Sequence, residues 1–386
     1  MASARLYFPH VEGLRGLAAL YVFLFHMRQV VLHDAPFAWL VRATPYLAFG
    51  HYAVAVFIVI SGYCLAAPLA AQPERPFDLR EFAVRRVKRI YPAYGGALIV
   101  SVILFYPWFA PRLVHGPPAS DLVIGVATHV LLIHNLFHAT SEFLNGPMWS
   151  VALESQIYVV FGLVLVPVWR RYGIGAQLAV AVVLGVLPHV ALRGALDWTC
   201  PWFLGLFAVG VCAAQFAREP GRLPWRTLAI VSVVIAMIVV PIVHVQSDAR
   251  GYGPFLATDY LVGVAVALFF IAAVDRRGGL WPPARVVGLR PFELLGLISY
   301  SIYLLHIVVV FSMYETIKNY NLTGMAAIAA YVAIVPCVLA LAYVSYRVLE
   351  RPFMSQRLRA AVEGAGVFSP SALRPMPEPK SALDQR

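Results

Sequence analysis

Ten long apolar stretches dominate this sequence, and each is long enough to cross a lipid bilayer as an α-helix. A helix needs roughly 20 apolar residues to span a hydrocarbon core of about 30 Å. The stretches begin near Leu14, Tyr46, Ala93, Met148, Gly175, Pro201, Thr227, Phe255, Pro291 and Thr323. Only 13% of the residues are charged, against about 25% in globular chains. The pattern predicts an all-α, polytopic integral membrane protein with about ten transmembrane helices.

Basic residues indicate which loops face the cytoplasm, because Lys and Arg concentrate in cytoplasmic loops. They cluster after the second, fourth, sixth, eighth and tenth stretches: Arg75, Arg80, Arg85, Arg86, Lys88 and Arg89; Arg170 and Arg171; Arg218, Arg222 and Arg226; Arg276, Arg277, Arg285 and Arg290; and Arg347, Arg351, Arg357 and Arg359. The intervening loops carry at most one each, for example Arg42, Arg112, Arg193, Arg250 and Lys318. This alternation predicts a bacterial inner-membrane protein with both termini in the cytoplasm, and it accounts for the basic charge without a nucleic-acid partner.

An eleventh apolar run, residues 122–138, is shorter and contains several polar side chains. His129, His134, Asn135 and His138 would be costly against lipid. In addition, all the basic loops fall on one side of the membrane only if this run does not cross it. We therefore predict a re-entrant or interfacial segment.

The domain organisation is simple. Residues 1–358 form one membrane domain, in which the first stretch is expected to remain as an uncleaved signal anchor. Residues 359–386 are rich in Pro, Ser, Gly and charge from Glu363 onward, which predicts a largely disordered cytoplasmic tail. The four cysteines lie in or beside apolar runs without C-x-x-C spacing, so neither disulfides nor a metal site is implied.

Arg15 and His26 are the most informative polar residues of the first stretch. Eleven residues return a helix to nearly the same azimuth, about 20° off, and advance it by about 16 Å. The two side chains are therefore expected on one helix face, with Arg15 at the cytoplasmic rim and His26 deep in the membrane. Arg15 alone is also compatible with a topological anchor, whereas a buried imidazole must find polar partners and is a candidate functional group.

Arg86 and Arg89 form a second candidate group, directly before Tyr91-Pro92. A spacing of three places both on one helix face, and the proline suits the first turn of a helix. Paired guanidinium groups at the cytoplasmic side bind phosphate oxygens well. The alternative interpretation is that these residues only set the topology.

Polar residues within the fourth and ninth stretches complete the set. Ser150, Glu154 and Tyr158 recur at intervals of four and predict a polar stripe facing inward. Glu154 needs a cation or a histidine as its partner, and His26 or an arginine is the obvious candidate; a purely helix-bridging role is the alternative. His306 either supports catalysis or is a hydrogen-bonded packing residue, and the sequence favours packing.

These motifs, in their order along the chain, resemble those of the acyltransferase-3 family of membrane proteins, which O-acylate glycans, lipid-linked sugars and some macrolides. The resemblance covers roughly residues 5–358. It rests on Glu12-Gly13-Leu14-Arg15-Gly16 with His26, Phe57-Ile58-Val59-Ile60-Ser61-Gly62-Tyr63, Arg86 and Arg89 before Tyr91-Pro92, Trp149-Ser150 with Glu154, Ser299-Tyr300 to His306, and Tyr346-Arg347-Val348-Leu349-Glu350-Arg351-Pro352-Phe353. The family commonly has Asp at the position of Glu12 and an acidic residue at that of Ser155.

The resemblance implies transfer of an acyl group, most often acetyl, from cytoplasmic acyl-CoA to a hydroxyl group of a glycan, a lipid-linked sugar or a small acceptor. Acyl-CoA is then a co-substrate, with no permanently bound cofactor or metal. Arg15, Arg86 and Arg89 would hold its phosphates. His26 would act as general base with Glu154 orienting it, and an acyl-imidazole intermediate is an open variant. Supporting roles fall to Trp149, Ser150, Tyr303 and His306.

Two other classes of membrane protein are the alternatives. A secondary transporter of a small anionic or sugar substrate also buries charge at mid-depth, but no inverted repeat or matching pair of broken helices is visible in the sequence. A membrane glycosyltransferase would favour acidic catalysts and extended outer loops. The sequence therefore favours the acyltransferase.

Overall fold

A computed structural model describes residues 8–34, 38–109, 119–218, 223–247, 255–273 and 279–354. The predicted tail, residues 359–386, lies outside these residues. So do several basic residues on which the predicted topology depends: Arg112, Arg222, Arg250, Arg276, Arg277, Arg357 and Arg359.

Helices account for nearly all of the described chain. The α-helices are α1 (Pro9–Asp34), α2 (Ala38–Ala43), α3 (Gly50–Ala71), α4 (Leu79–Phe109), α5 (Ala119–Val130), α6 (Met148–Val160), α7 (Val166–Tyr172), α8 (Ile174–Ala191), α9 (Phe203–Arg218), α10 (Trp225–Ser247), α11 (Phe255–Ala272), α12 (Pro282–Val287), α13 (Arg290–Leu297), α14 (Ser299–Asn319) and α15 (Gly324–Ser345). A π-helical segment, Phe161–Leu165, joins α6 to α7, and another, Tyr346–Glu350, follows α15. Short 3₁₀ segments are Pro45–Ala48, His134–Leu136, Asp197–Thr199 and Arg351–Phe353.

Nine helical segments of the described chain are long and apolar enough to cross a membrane. They are formed by α3, α4, α6 with α7, α8, α9, α10, α11, α14 and α15, and they match nine of the ten predicted spans. The one predicted span that is not among them is the first, which corresponds to α1. The 26 residues of α1 extend about 39 Å, which is long enough to cross a membrane. However, Arg15, His26 and Arg28 make α1 more polar than the nine helical segments above. The prediction of an all-α, polytopic membrane protein is confirmed.

The third span begins well before its predicted start, so the prediction that Arg86 and Arg89 lie in a loop is wrong. Asp78 explains the early start, because its Oδ1 accepts the backbone N–H of Glu81 at 2.9 Å and so caps the first turn of α4. Arg86 and Arg89 therefore lie within α4, one turn apart on one face. Pro92 stands in the interior of this helix instead of its first turn.

The predicted ninth span is divided into two helices, a short α13 and the membrane-spanning α14. α13 packs across the start of α1 with backbone against backbone. A Cβ atom on Gly16 would lie 2.5 Å from the amide nitrogen of Gly296, and one on Gly296 would lie 2.1 Å from the carbonyl oxygen of Glu12. Glycine at both positions lets α13 lie directly against the turn that carries Glu12 and Arg15.

A second close helix contact joins α3 and α9. A Cβ atom on Gly62 would lie 2.1 Å from the carbonyl oxygen of Phe207, and one on Gly210 would lie 2.1 Å from that of Val59. Small residues allow helices in a membrane to approach this closely and to gain van der Waals contacts along their length. The contact fixes α3, whose Ser61 belongs to the polar network described below.

Residues 119–147, the described part of the segment between α4 and α6, begin and end at the same end of these two helices. α4 and α6 are antiparallel: Arg86 lies over the ring of Tyr158, and at the other end Asn145 donates to Ser101 at 3.1 Å. α5 ends near the middle of α4, where Tyr94 donates to the carbonyl of His129. Its 12 residues extend only about 18 Å, too short to cross. The segment is re-entrant, one of the two arrangements predicted.

Most of the polar residues in this segment are buried against protein. The imidazole rings of His129 and His134 stack with centroids 3.8 Å apart, and both side chains are buried. Asn135 accepts a hydrogen bond from Gln156 of α6 at 2.7 Å. His138, in contrast, is exposed. Burial of the first three side chains explains how the segment accommodates them without exposing them to lipid.

The helix ends define two faces of the bundle. Arg170, in the last turn of α7, donates to the backbone carbonyl of Arg75, which precedes α4. We call this end, where α4 begins and α7 ends, the basic face. We call the other end, where α3 begins, the opposite face.

Candidate active site

Arg15 is held close to the basic face by two helices. Its Nη1 donates to both carboxylate oxygens of Glu12, at 2.7 and 2.9 Å, and its Nη2 lies 3.4 Å from Sγ of Cys64 on α3. His26 lies eleven residues further along α1, about 16 Å toward the opposite face. Both residues lie on α1, which is continuous from Pro9 to Asp34, as the predicted spacing along one helix requires.

His26 lies beside α14 and contacts His306. Its Nδ1 is 2.9 Å from the carbonyl oxygen of Val22 and 3.1 Å from Nε2 of His306. The two ring centroids are 5.0 Å apart. Nδ1 of His306 is 3.0 Å from the carbonyl oxygen of Ile302. His306 is thus a hydrogen-bond partner of His26, not only the packing residue that the sequence favoured.

These contacts assign the protons of the two neutral rings. A carbonyl oxygen only accepts, so His306 carries its proton on Nδ1, and its Nε2 is an acceptor. Nδ1 of His26 must then donate, with one proton shared between Val22 and His306. The network therefore assigns an unprotonated Nε2 to His26, which is the form required of a general base.

The hydrogen-bond partner of Glu154 is neither of the two groups that the sequence suggested, His26 or an arginine. Among the described residues its carboxylate accepts a hydrogen bond from the hydroxyl of Tyr158, one turn later on α6, and not from the imidazole of His26. Because that hydroxyl donates to Glu154, Ser61 must donate to Tyr158, at 2.7 Å. Glu154 is also within electrostatic reach of Arg15 and Arg86. It therefore lies with Arg15, Arg86 and Arg89, a group that we call the arginine cluster, nearer the basic face than His26.

Ser150 and Tyr303 form a bridge between α6 and α14. Their hydroxyl oxygens are 2.6 Å apart, and the hydroxyl of Tyr303 also lies 3.0 Å from the carbonyl oxygen of Pro147. The ring of Tyr303 is 6.0 Å from that of His306. Trp149 instead packs toward α9, 6.2 Å from the ring of Phe203. Ser150 and Tyr303 thus fix the helix that carries His306, whereas Trp149 contacts a different helix.

Arg89 is anchored by a buried acid. It forms an ion pair with Glu350, whose side chain is 0% exposed, and its guanidinium lies over the ring of Tyr300. The other oxygen of Glu350 accepts a hydrogen bond from Ser301 at 2.6 Å. Arg89 is also within electrostatic reach of Arg15. The structure therefore brings the end of the chain's membrane domain back to the arginine cluster.

Arg86 is held differently from the other two arginines. Its guanidinium lies over the rings of Phe82 and Tyr158, 5.8 and 5.7 Å from their centroids. Its Nε is buried and has no hydrogen-bond partner within the described chain. Arg86 is within electrostatic reach of Arg89. A buried cationic donor without a partner is costly. Because an anionic ligand would remove that cost, Arg86 is the arginine of this cluster best prepared to bind one.

Sequence reasoning assigned no individual role to Glu350, Tyr158 or Ser61, although all three belong to this network. Glu350 and Ser61 lie within motifs that carry the family resemblance, and Tyr158 continues the polar stripe of α6. A signal was therefore present for each residue. Their partners on other helices were not visible, because those partners lie 49 to 261 residues away along the chain.

Comparisons with known proteins identify the family of the chain. A family model for an acyltransferase domain matches residues 8–347. The chain is similar to the peptidoglycan O-acetyltransferase OatA of Listeria monocytogenes, with 24% identity over 329 residues that cover 78% of this chain and 49% of that protein. A candidate peptidoglycan O-acetyltransferase of Bacillus subtilis is 26% identical over 382 residues, covering 92% of this chain and 56% of that protein.

A candidate O-acetyltransferase of Staphylococcus aureus is 24% identical over 380 residues, covering 92% of this chain and 58% of that protein. The chain thus spans about half the length of these curated relatives. No solved structure matches it. Because the family model covers nearly all of the described helices, the chain belongs to the acyltransferase-3 family of membrane proteins.

Proposed function

We propose that this protein transfers an acyl group, preferentially acetyl, from cytoplasmic acyl-CoA to a hydroxyl group of a cell-envelope glycan or lipid-linked sugar. The observation that carries the proposal is the His26–His306 pair, which leaves Nε2 of His26 free to take a proton. Family membership supports acyl transfer. Relatives named for peptidoglycan O-acetylation support a glycan acceptor and an acetyl group.

In the proposed reaction, Nε2 of His26 takes the proton of the acceptor hydroxyl as that oxygen attacks the thioester carbonyl. The new C–O bond forms, the C–S bond breaks, and the leaving thiolate takes the proton from the imidazolium. General-base catalysis of this kind contributes on the order of 10² to 10⁴ in rate. The hydrogen bond to His306 orients the ring and stabilises it while it is charged. In a two-step variant the same nitrogen first accepts the acyl group.

The arginine cluster is the proposed donor site. Acyl-CoA carries several phosphates, and guanidinium groups bind phosphate oxygens through paired hydrogen bonds. Arg15 and Arg89 are fixed by Glu12 and Glu350, while Arg86 contributes the donor that lacks a partner in the described chain. With the phosphates at this cluster, the pantetheine arm extends along α1 toward His26.

We further propose that the basic face is cytoplasmic, with both termini on that side of a bacterial inner membrane. The positive-inside rule supports this orientation. The contact between Arg75 and Arg170 places two of the basic loops at one end of the bundle. This orientation puts the arginine cluster on the side where acyl-CoA is found.

The test is substitution of His26 with Ala in the full-length protein. Membranes are adjusted to equal protein abundance and supplied with radiolabelled acetyl-CoA, and label in cell-envelope glycan is measured. We expect transfer to fall by about 10² to 10⁴. His138→Ala, which removes an exposed imidazole, is the matched control and should transfer normally. Retention of wild-type transfer by His26→Ala would exclude this residue as the base.

A further inference from the structure

A cavity of about 700 Å³ opens at the opposite face, away from the arginine cluster. Its walls come from α1, the 3₁₀ segment Pro45–Ala48, the start of α3, the end of α10 and the start of α11. Pockets for small ligands usually measure roughly 300–1,000 Å³ and combine aromatic walls with a few polar groups. The size and position of this cavity are therefore those of a binding site distinct from the proposed donor site.

A buried carboxylate orients one imidazole at the cavity wall. Asp259 of α11 is 0% exposed, and its Oδ2 is 3.0 Å from Nε2 of His51 and 2.8 Å from Nε1 of Trp202. The carboxylate accepts both hydrogen bonds, so Nε2 of His51 carries the proton and Nδ1 of the neutral ring is an acceptor. His51 retains 16% exposure and lines the cavity. It can therefore accept a hydrogen bond from a hydroxyl group.

The other cavity walls can contact both the C–H faces and the hydroxyl groups of a sugar. Phe25, Phe49 and Phe255 provide flat apolar faces against which the C–H face of a pyranose ring can pack. Arg28 and Gln29 supply side-chain donors from α1. The hydrogen bond from Arg28 to Thr44 uses only Nε, one of its five N–H donors. Aromatic faces beside both donors and an acceptor favour a hydroxyl-rich ligand over a purely apolar one.

The cavity also lies next to the proposed catalytic base. Phe25 forms part of its wall, and the ring centroid of Phe25 is 4.9 Å from that of His26. Arg28 is 13 residues beyond Arg15 on the same helix, about 20 Å along its axis. A ligand in the cavity therefore approaches His26 from the end of α1 opposite to Arg15.

We infer that this cavity binds a sugar unit of the acceptor glycan, with His51 accepting a hydrogen bond from a sugar hydroxyl and Asp259 positioning His51. The inference rests on the proposed function, since it assigns the second substrate of the same reaction. His51 is then an acceptor-binding residue, and Asp259 is a positioning residue that acts through it.

The test uses purified full-length protein, acetyl-CoA and a muramidase digest of bacterial peptidoglycan as the acceptor probe. Transfer is measured as a function of probe concentration, and hydrolysis of acetyl-CoA without probe is measured in parallel. His51→Leu should raise the apparent KM for the probe roughly fivefold, the effect of losing one neutral hydrogen bond. The KM for acetyl-CoA and the rate of hydrolysis should stay unchanged. His51→Gln, which keeps an acceptor, should restore part of the affinity.

A second variant covers the possibility that His51→Leu misfolds. Gln29→Trp fills the cavity from an exposed position that does not touch Asp259, and it should also raise the KM for the probe. Ala43→Trp places the same bulk on an exposed site outside the cavity and serves as the control. An unchanged probe KM in both cavity variants, or a raised acetyl-CoA KM, would overturn the inference. If the wild type neither transfers nor hydrolyses, the proposed function itself fails.

Discussion

Replacing His306 with phenylalanine removes the acceptor for the proton on Nδ1 of His26 while keeping a ring of similar size on α14. The carbonyl of Val22 remains 2.9 Å from the same nitrogen, so the proton keeps one partner and no buried donor is left unsatisfied. A neutral hydrogen bond contributes about 1 kcal/mol net. We therefore expect kcat to fall about fivefold, far less than the 10² to 10⁴ expected from removing a general base.

The assay compares initial rates of acetyl transfer from radiolabelled acetyl-CoA for His306→Phe and His306→Gln at matched abundance. Glutamine places Oε1 near the position of Nε2 of the imidazole, so it should recover most of the rate. Val308→Ala truncates a buried residue on the same helix and controls for a general packing defect. The KM for acetyl-CoA should not change in either His306 variant, because the arginine cluster is untouched.

The loss of transfer rate in His306→Phe, compared with the loss in His26→Ala, tests which histidine is the base. A loss in His306→Phe as large as that in His26→Ala would mean that His306 is the base and that the protons are assigned to the wrong nitrogens. A rate equal to that of the wild type would mean that the hydrogen bond between the rings has no part in the reaction.

Two further predictions concern the donor site and helix packing. Arg86→Gln should raise the KM for acetyl-CoA while the abundance of the protein in membranes stays normal. Arg89→Gln should instead lower that abundance, because the buried carboxylate of Glu350 loses its ion-pair partner at a cost of roughly 1–3 kcal/mol. The double variant with Glu350→Gln should recover that abundance, and no recovery would show that the ion pair is not the cause. Gly210→Leu should lower the melting temperature measured in detergent, because a Cβ there meets a carbonyl of α3 at 2.1 Å and overpacking costs roughly 1–3 kcal/mol. Gly95→Leu, in a helix position with nothing within 4 Å of its Cβ, is the control, and an equal loss in both variants would contradict the packing argument.

Much of the fold follows from hydrophobic length alone, because a bilayer admits few alternatives to helices of about 20 apolar residues. The start of α4 does not follow from hydropathy, for a local reason. Apolarity begins near Ala93, but the helix begins where Asp78 can cap it, and hydropathy does not detect a capping carboxylate. Hydropathy does not separate the short α13 from α14, because the apolar residues of both helices fall within one apolar stretch of the sequence.

The candidate site was predictable as a set of residues but not as a set of contacts. The spacing of Arg15 and His26 follows from helix geometry, and it requires no knowledge of other helices. The partner of His26 lies 280 residues away, and the choice between His306 and Glu154 depends on which helices are neighbours. Neighbouring helices are set by interhelical packing, such as the contact of Gly16 with Gly296 that holds α13 against α1, and a single sequence does not reveal such pairings.

The balance of charge in the arginine cluster limits how a phosphorylated donor could enter it. Three guanidinium groups, those of Arg15, Arg86 and Arg89, share the cluster with carboxylates from Glu12, Glu154 and Glu350, so it carries no large excess of positive charge. Two of the arginines hold an acid directly, and Glu154 accepts its hydrogen bond from a tyrosine. Arg86 is therefore the group that can meet a phosphate without first breaking an ion pair seen in the described chain. We therefore expect Glu12 and Glu350 to set the shape of the proposed donor site, and Arg86 to contribute most of its affinity for phosphate.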